Sequence, residues 1–437
     1  MLFHSTAFAV FFIIVFILYI KLPHKLQNRM LLIASYIFYG AWEWKYLALL
    51  FISTLTDYFC ALGVEKSEDS LKKRFVYLSV FINLTLLGIF KYYGFFAENF
   101  QSLMASFGVE THPYFLNIAL PVGISFYTFQ SISYTVDVYR GKLKACNNFL
   151  DFSLYVSFFP QLVAGPIERG TRLLPQILNA RKITKENIIK GLYCIFWGLF
   201  LKVVIADNMA NLVDPIYDID KSPNGILTLL ATYSFAIQIY CDFSGYSLIA
   251  IGLALLMGIE LMENFRRPYF SLNISDFWRR WHISLSSWFR DYMFSPLYIY
   301  FQNSFFLKNK SIYLRHIIFF LLTLFATEFL LGLWHGAGWN YAFFGVYHAF
   351  LIGGYYLLKK YWDKLNKYIQ IFLTFNLVCV GWLIFRSESL VQSLILIKSI
   401  FTDWNLSNDL IPIYLKQFLA LSTLLFAHEI VEEIKNK

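Results

Sequence analysis

Apolar runs of bilayer length recur through this chain of 437 residues, and no other feature restricts its fold so strongly. A hydrocarbon core of ~30 Å takes about 20 residues of helix to cross. Spans are expected near residues 2–20, 30–42, 46–64, 75–97, 114–139, 190–213, 226–258, 316–334, 338–358, 368–385 and 411–430. Glu43 and Lys45 divide the second from the third, within one run. The predicted fold class is an all-α polytopic integral membrane protein with about eleven transmembrane helices, forming a single membrane domain over 1–437.

Charge placement gives the expected orientation, because Lys and Arg concentrate in cytoplasmic loops. Lys21, Lys25 and Arg29 follow the first span, Lys72, Lys73 and Arg74 precede the fourth, and Arg140, Lys142 and Lys144 follow the fifth. Residues 98–113 hold no Lys or Arg, and the loop 214–224 carries Asp214, Asp218 and Asp220, so both are expected outside. The scheme puts the N-terminus outside and the C-terminus, near Lys435, in the cytoplasm. The first span lacks a cleavage signal and is expected to be retained. The net charge of +9 sits in these short loop blocks, which fits anionic lipid and argues against a nucleic-acid partner. Four of five cysteines (Cys60, Cys194, Cys241 and Cys379) lie in or beside apolar segments without CxxC pairing, so they read as core filling, and no metal site is expected.

Residues 149–167 break the alternation, since basic loops flank them on both sides. Pro160, Gly165 and Pro166 interrupt helix bonding there, which is tolerated at membrane depth only inside protein or beside water. A re-entrant segment is expected; a Pro-kinked span is the alternative.

Two stretches carry chemistry. In SDFWRRWHISLSSWFRDY, Ser275 to Tyr292, helical spacing gathers Phe277, Trp278, Trp281, Leu285 and Trp288 on one face, with Arg279, Ser286 and Arg290 opposite and His282 at the boundary. This predicts an interfacial helix capped by Ser275, its tryptophans among lipid headgroups. It is either an anchor alone or an anchor with a donor site in which Arg279 and Arg280 meet phosphate. In LGLWHGAGWNYAF, Leu331 to Phe343, His335 ends an apolar run, and Gly332, Gly336 and Gly338 leave room for a ligand. Asn340 and Asp242 are polar groups at membrane depth that line a channel or cap helix breaks. His348, about 220° around a helix from His335, reads as structural.

Together with PVGISFYTFQSISYTVDVYRG from Pro121, FFPQLVAGPIERGTRLLPQI from Phe158, QIYCDFSGYSLIAIGLALLMGI from Gln238 and NFRRPYFSLNISDFWRRWH from Asn264, these stretches resemble the membrane-bound O-acyltransferase family. The branch they resemble is that of the alginate and peptidoglycan O-acetyltransferases, with teichoic-acid D-alanyl transfer proteins as cousins. The resemblance is strongest over about 115–360 and implies a fold with a central tunnel. It implies His335 and His282 as the catalytic pair, with Trp281, Trp334, Arg279, Arg280, Asn340 and Asp242 at the substrates. It also implies an acyl thioester donor (acetyl-CoA or an acyl carrier) with no bound cofactor, a polysaccharide acceptor, and an extracytoplasmic partner of the serine-hydrolase type. Two departures stand out: Leu248 follows GYS where the family commonly has an acid, and MFSPLYIY follows RDY where the acetyltransferase branch has a glycine-rich segment.

Acyl transfer to a hydroxyl needs a base and donors for the oxyanion, and a buried neutral imidazole is suited to the first task. With His335 at the outer end of its span and His282 on the cytoplasmic side, the two histidines are expected at opposite depths. A proton-coupled permease is the alternative of another class; no inverted repeat supports it.

Overall fold

A computed structural model describes residues 1–111, 120–217, 224–304 and 311–435. The start of the span expected at 114, together with Asp218 and Asp220, lies outside the described residues. All regular structure among the described residues is helical.

Among the described residues, eight stretches are long and apolar enough to cross a membrane: His24–Lys66, Asp69–Ser106, Lys185–Val213, Gly225–Leu256, Ile312–His335, Trp339–Trp362, Lys367–Arg386 and Leu410–Lys435. Three differences separate this count from the eleven expected. The first expected span is the shorter helix Thr6–Lys21, of 16 residues, started by Ser5, whose Oγ accepts the Phe8 N–H. The described part of the fifth is the helix Ile124–Tyr139, also of 16 residues. The second and third form one continuous apolar stretch, but Glu43 is extended (φ −158°, ψ 105°) ahead of the short turn Trp44–Tyr46. The helices on either side, His24–Glu43 and Leu47–Lys66, have 20 residues each. At ~1.5 Å per residue either one spans a hydrocarbon core.

Large apolar side chains lie on the outer faces of these helices, with Phe81 68%, Phe196 67% and Phe372 65% exposed. In water such faces would drive aggregation; against lipid they are at home. The chain is a multi-pass membrane protein.

By internal contacts it divides into two compact units, residues 1–197 with 246–262, and residues 198–245 with 263–437. The first unit is tied together by a polar knot. Asp57, fully buried on Leu47–Lys66, accepts hydrogen bonds from Ser79 Oγ, from Asn83 Nδ2 (2.7 Å) and from Thr135 Oγ1 (2.9 Å). Asn83 Oδ1 in turn accepts from Ser53 Oγ at 2.6 Å. Three helices thus converge on one carboxylate whose hydrogen bonding is met by neutral donors, as interhelical polar contacts in lipid must be. In the same unit the segment expected to be re-entrant consists of two short helices, Phe149–Ser157 and Phe159–Leu162, separated at Phe158. Neither is long enough to cross. Its core residues Phe152, Leu154, Tyr155, Val156, Phe158 and Phe159 are completely buried, so the broken backbone sits inside protein.

The second unit is organised around a helical hairpin, Ile312–His335 and Trp339–Trp362, joined by Gly336–Ala337–Gly338. A Cβ on Gly332 would collide with the Tyr341 carbonyl, and one on Gly345 with the Glu328 carbonyl. These glycines let two backbones touch, the small-residue packing common between membrane helices. The helix Lys367–Arg386 packs beside the hairpin, where the Tyr347 hydroxyl donates to the Leu377 carbonyl at 2.8 Å. All five cysteines are buried and unpaired by disulfides.

Candidate active site

The stretch from Ser275 to Tyr292 is not the continuous interfacial helix its periodicity predicts. A short helix, Ile274–Arg280, starts at Asn273 rather than Ser275, with Asn273 Oδ1 accepting the Asp276 N–H. It ends at Trp281, which is extended, and His282 takes a left-handed backbone conformation (φ 42°, ψ 54°) before a second helix, Ile283–Phe289, begins. Left-handed backbone is costly for a residue with a Cβ and persists only where the surroundings enforce it.

Asn264 is what enforces it. The Ile283 N–H donates to the Asn264 carbonyl (2.9 Å), and the Arg266 N–H to the Arg280 carbonyl (2.9 Å), pinning the chain on both sides of the break. The buried Asn264 Oδ1 accepts from the Ser284 N–H (3.2 Å), from Ser284 Oγ (2.9 Å) and from His282 Nδ1 (3.0 Å). Because a backbone N–H can only donate, the atom it meets is the amide oxygen, and Nδ1 of His282 therefore carries the proton. Nε2 is left as the basic nitrogen. His282 is wholly enclosed, and burial, reinforced by the nearby charge of His335, holds its imidazole well below the ordinary histidine range. At physiological pH it is neutral.

His335 ends its helix with its ring against Phe385 (5.3 Å between centres), Phe344 (6.0 Å) and Trp334 (5.0 Å). The Trp334 ring also faces His282 at 5.8 Å, so one indole touches both imidazoles. Packed on the one indole, the two histidines belong to a single cluster rather than standing at opposite depths. That expectation assumed His282 on a surface helix, whereas the break folds it back into protein.

His348 joins the same cluster. The Phe344 ring lies 4.6 Å from it, and His348 Nδ1 accepts the Trp278 Nε1–H at 3.2 Å. Counting degrees around a helix from His335 misplaced it, because His335 and His348 belong to two helices separated at Gly336–Gly338. Trp278, Trp281 and Trp288 are all buried in protein rather than set among headgroups, and Trp281 stacks on Phe277 and packs against Trp382 at 4.7 Å. The same apolar face that suits an interface suits an interior.

Four other expected site residues fare differently. The Asn340 amide donates to the carbonyls of Ser387 (2.7 Å) and Phe385 (3.5 Å), closing the end of Lys367–Arg386 as a cap. Arg280 pairs with Asp276 at 3.1 Å. Arg279 is exposed, its Nε donating to the Ser275 carbonyl at 3.2 Å. Asp242 is exposed and paired with Lys202 (2.8 Å), which also holds Asp207 (2.7 Å). Asp242 does share a cleft of about 290 Å³ with Gln238, Tyr341, Phe385 and Arg386. Phe385, which lines this mixed polar and aromatic cleft, also contacts His335. Gly336 does not leave ligand space, for its Cα lies against the Tyr341 ring.

Residues 37–388 match the membrane-bound O-acyltransferase family, most of the chain. The chain belongs to this family. Among its relatives, the probable alginate O-acetylase AlgI of Pseudomonas putida is 39% identical over 93% of this chain and 82% of its own length. The peptidoglycan O-acetyltransferase of Helicobacter pylori is 35% identical over 84% of this chain and 72% of its own length. The teichoic acid D-alanyltransferase of Bacillus subtilis is 33% identical over 62% of this chain and 70% of its own length. This membrane-bound O-acyltransferase is thus an enzyme whose substrate is an acyl donor. No group of three or more potential metal-ligating side chains occurs among the described residues. The polar partner that fixes His282, Asn264, had no assigned role in the sequence reading; its only sequence signal was membership of the stretch beginning NFRRPYF.

Proposed function

We propose that this enzyme takes an acetyl group from a cytoplasmic thioester, acetyl-CoA or an acyl carrier, and delivers it across a bacterial inner membrane. The acceptor is a hydroxyl of a cell-wall or exopolysaccharide, reached directly or through a serine-hydrolase-like partner. The observation that carries this reading is the Asn264–His282 pair, which fixes one tautomer and keeps a neutral imidazole beside His335. His335, less buried and adjoining the cleft, acts as the base: its imidazole takes the hydroxyl proton as the oxygen attacks the thioester carbonyl, and the C–S bond then breaks to release thiolate. Buried donors around the histidine cluster are suited to the oxyanion. Arg279, the more exposed of the arginine pair, is the better placed to meet a donor phosphate. Acetyl rather than D-alanyl transfer is favoured because the acetylating relatives align over 93% and 84% of the chain, against 62% for the D-alanyltransferase.

Sealed membrane vesicles test the sidedness. With acetyl-labelled acetyl-CoA added outside, inside-out vesicles are expected to transfer label to a lumenal acceptor and right-side-out vesicles to transfer none. Equal transfer from both would overturn the cytoplasmic donor site, and transfer from neither would overturn the thioester.

Orientation has its own check. Ser102, in the last turns of the helix Tyr93–Ser106 within the stretch expected outside, and Ala180, in the loop expected inside, are both exposed. A cysteine at Ser102 is expected to react with an impermeant maleimide on intact cells, and one at Ala180 only after permeabilisation. Labelling of Ala180→Cys on intact cells would invert the scheme.

A further inference from the structure

Among the described residues, buried carboxyls on the helices have partners, with one exception. Asp57 accepts from three side chains, Glu429 accepts from the Tyr240 hydroxyl at 2.7 Å, and Asp137 pairs with Lys142 at 3.5 Å. Glu328 is 9% exposed, yet Oε2 has no hydrogen-bond partner, and no ion pair involves it among the described residues. It lies well inside the apolar helix Ile312–His335, where an ionisable group needs a reason.

Its place on that helix suggests the reason. Glu328 and His335 are seven residues apart, close to two full turns, so they share one face roughly 10 Å apart along the axis. Side chains tilt toward a helix N-terminus, so the imidazole leans toward Glu328. The backbones of the hairpin touch along this stretch, the Glu328 carbonyl lying against Gly345 and the Tyr341 carbonyl against Gly332.

We infer that Glu328 is the proton relay of the transfer reaction. The inference rests on the reading of His335 as the base, and it follows from the proton count of that reaction. The acceptor hydroxyl gives up its proton to His335, the new C–O bond forms, the C–S bond breaks, and the departing thiolate needs a proton. The proton that His335 removes is the one the thiolate needs, and the imidazole must return to its neutral form before the next turnover. Glu328, which its apolar surroundings tolerate as a neutral acid, gives its proton toward the thiolate, and the carboxylate so formed takes a proton back from imidazolium through bridging water. No oxidant or further reactant enters; the net products are ester and thiol.

The test measures acetyl transfer from acetyl-CoA by wild type, Glu328→Gln, Glu328→Asp, Glu328→Ala and His335→Ala, each at matched membrane abundance. Glu328→Gln keeps the shape and is expected to lower kcat by about 10²-fold with the donor KM unchanged, while Glu328→Asp retains most of the rate. Millimolar formate is expected to restore transfer saturably in Glu328→Ala and not in His335→Ala, because a small acid replaces a relay and cannot replace the base. Wild-type kcat in Glu328→Gln, or an inactive Glu328→Ala that formate leaves inactive, overturns the relay while leaving the base assignment intact. Unchanged transfer in His335→Ala overturns the base and the relay together.

Discussion

His335→Ala is expected to accumulate normally in the membrane and to lose acyl transfer by roughly 10² to 10⁴-fold, the usual loss on removing a general base. The expectation follows from where the residue sits. His335 ends a helix, half-buried, against the rings of Trp334, Phe344 and Phe385. Truncation there removes a reactive nitrogen and little packing, so the effect falls on kcat and not on abundance. His335→Gln retains a polar side chain of similar length without a titratable nitrogen and should be as inactive. A well-folded His335→Ala enzyme transferring at near wild-type rate would return the residue to the core.

The second large effect is expected at Asn264. Replacing it with Leu leaves three buried donors, on His282 and Ser284, without their acceptor, and each unmet group costs about 1–3 kcal/mol. The thermal midpoint in detergent should fall. Beyond stability, His282 loses the contact that selects its Nδ1–H tautomer, and transfer by the surviving folded enzyme should drop by about 10²-fold, the scale seen when an orienting partner is removed. Asn264→Asp separates the two roles. It keeps an acceptor for all three donors but sets a carboxylate beside the imidazole, which favours the protonated form. His282 is then neutral only at higher pH, so the acid limb of the rate profile should move upward while most folding stability remains. A profile that does not move in Asn264→Asp would confine Asn264 to a structural part.

Much of the architecture was legible because lipid imposes a length. The long spans, the break at Glu43, the interrupted segment around Phe158 and the importance of the two histidine stretches all follow from local composition. The site was legible only in its parts. The turn at Trp281–His282 has no local breaker, since the run from Ile274 to Phe289 lacks Gly and Pro and keeps its aromatic face in register. What stops the helix is Asn264, 18 residues upstream, and a tertiary contact of this kind leaves no periodic signature. The tryptophans illustrate a second limit. A belt facing headgroups and a face buried in protein have the same spacing, so the pattern specifies amphipathicity and not the medium. Asn340 illustrates a third, because a polar group at membrane depth serves a helix end as readily as a substrate.

The contact of Gly332 and Gly345 with opposing carbonyls has a mechanical consequence. Two helices whose backbones interlock cannot slide past each other without driving a neighbouring side chain into a peptide group, so the hairpin carrying His335 behaves as one stiff strut. Compliance during turnover has to be supplied by the hairpin's surroundings, and the base keeps its position while substrates come and go.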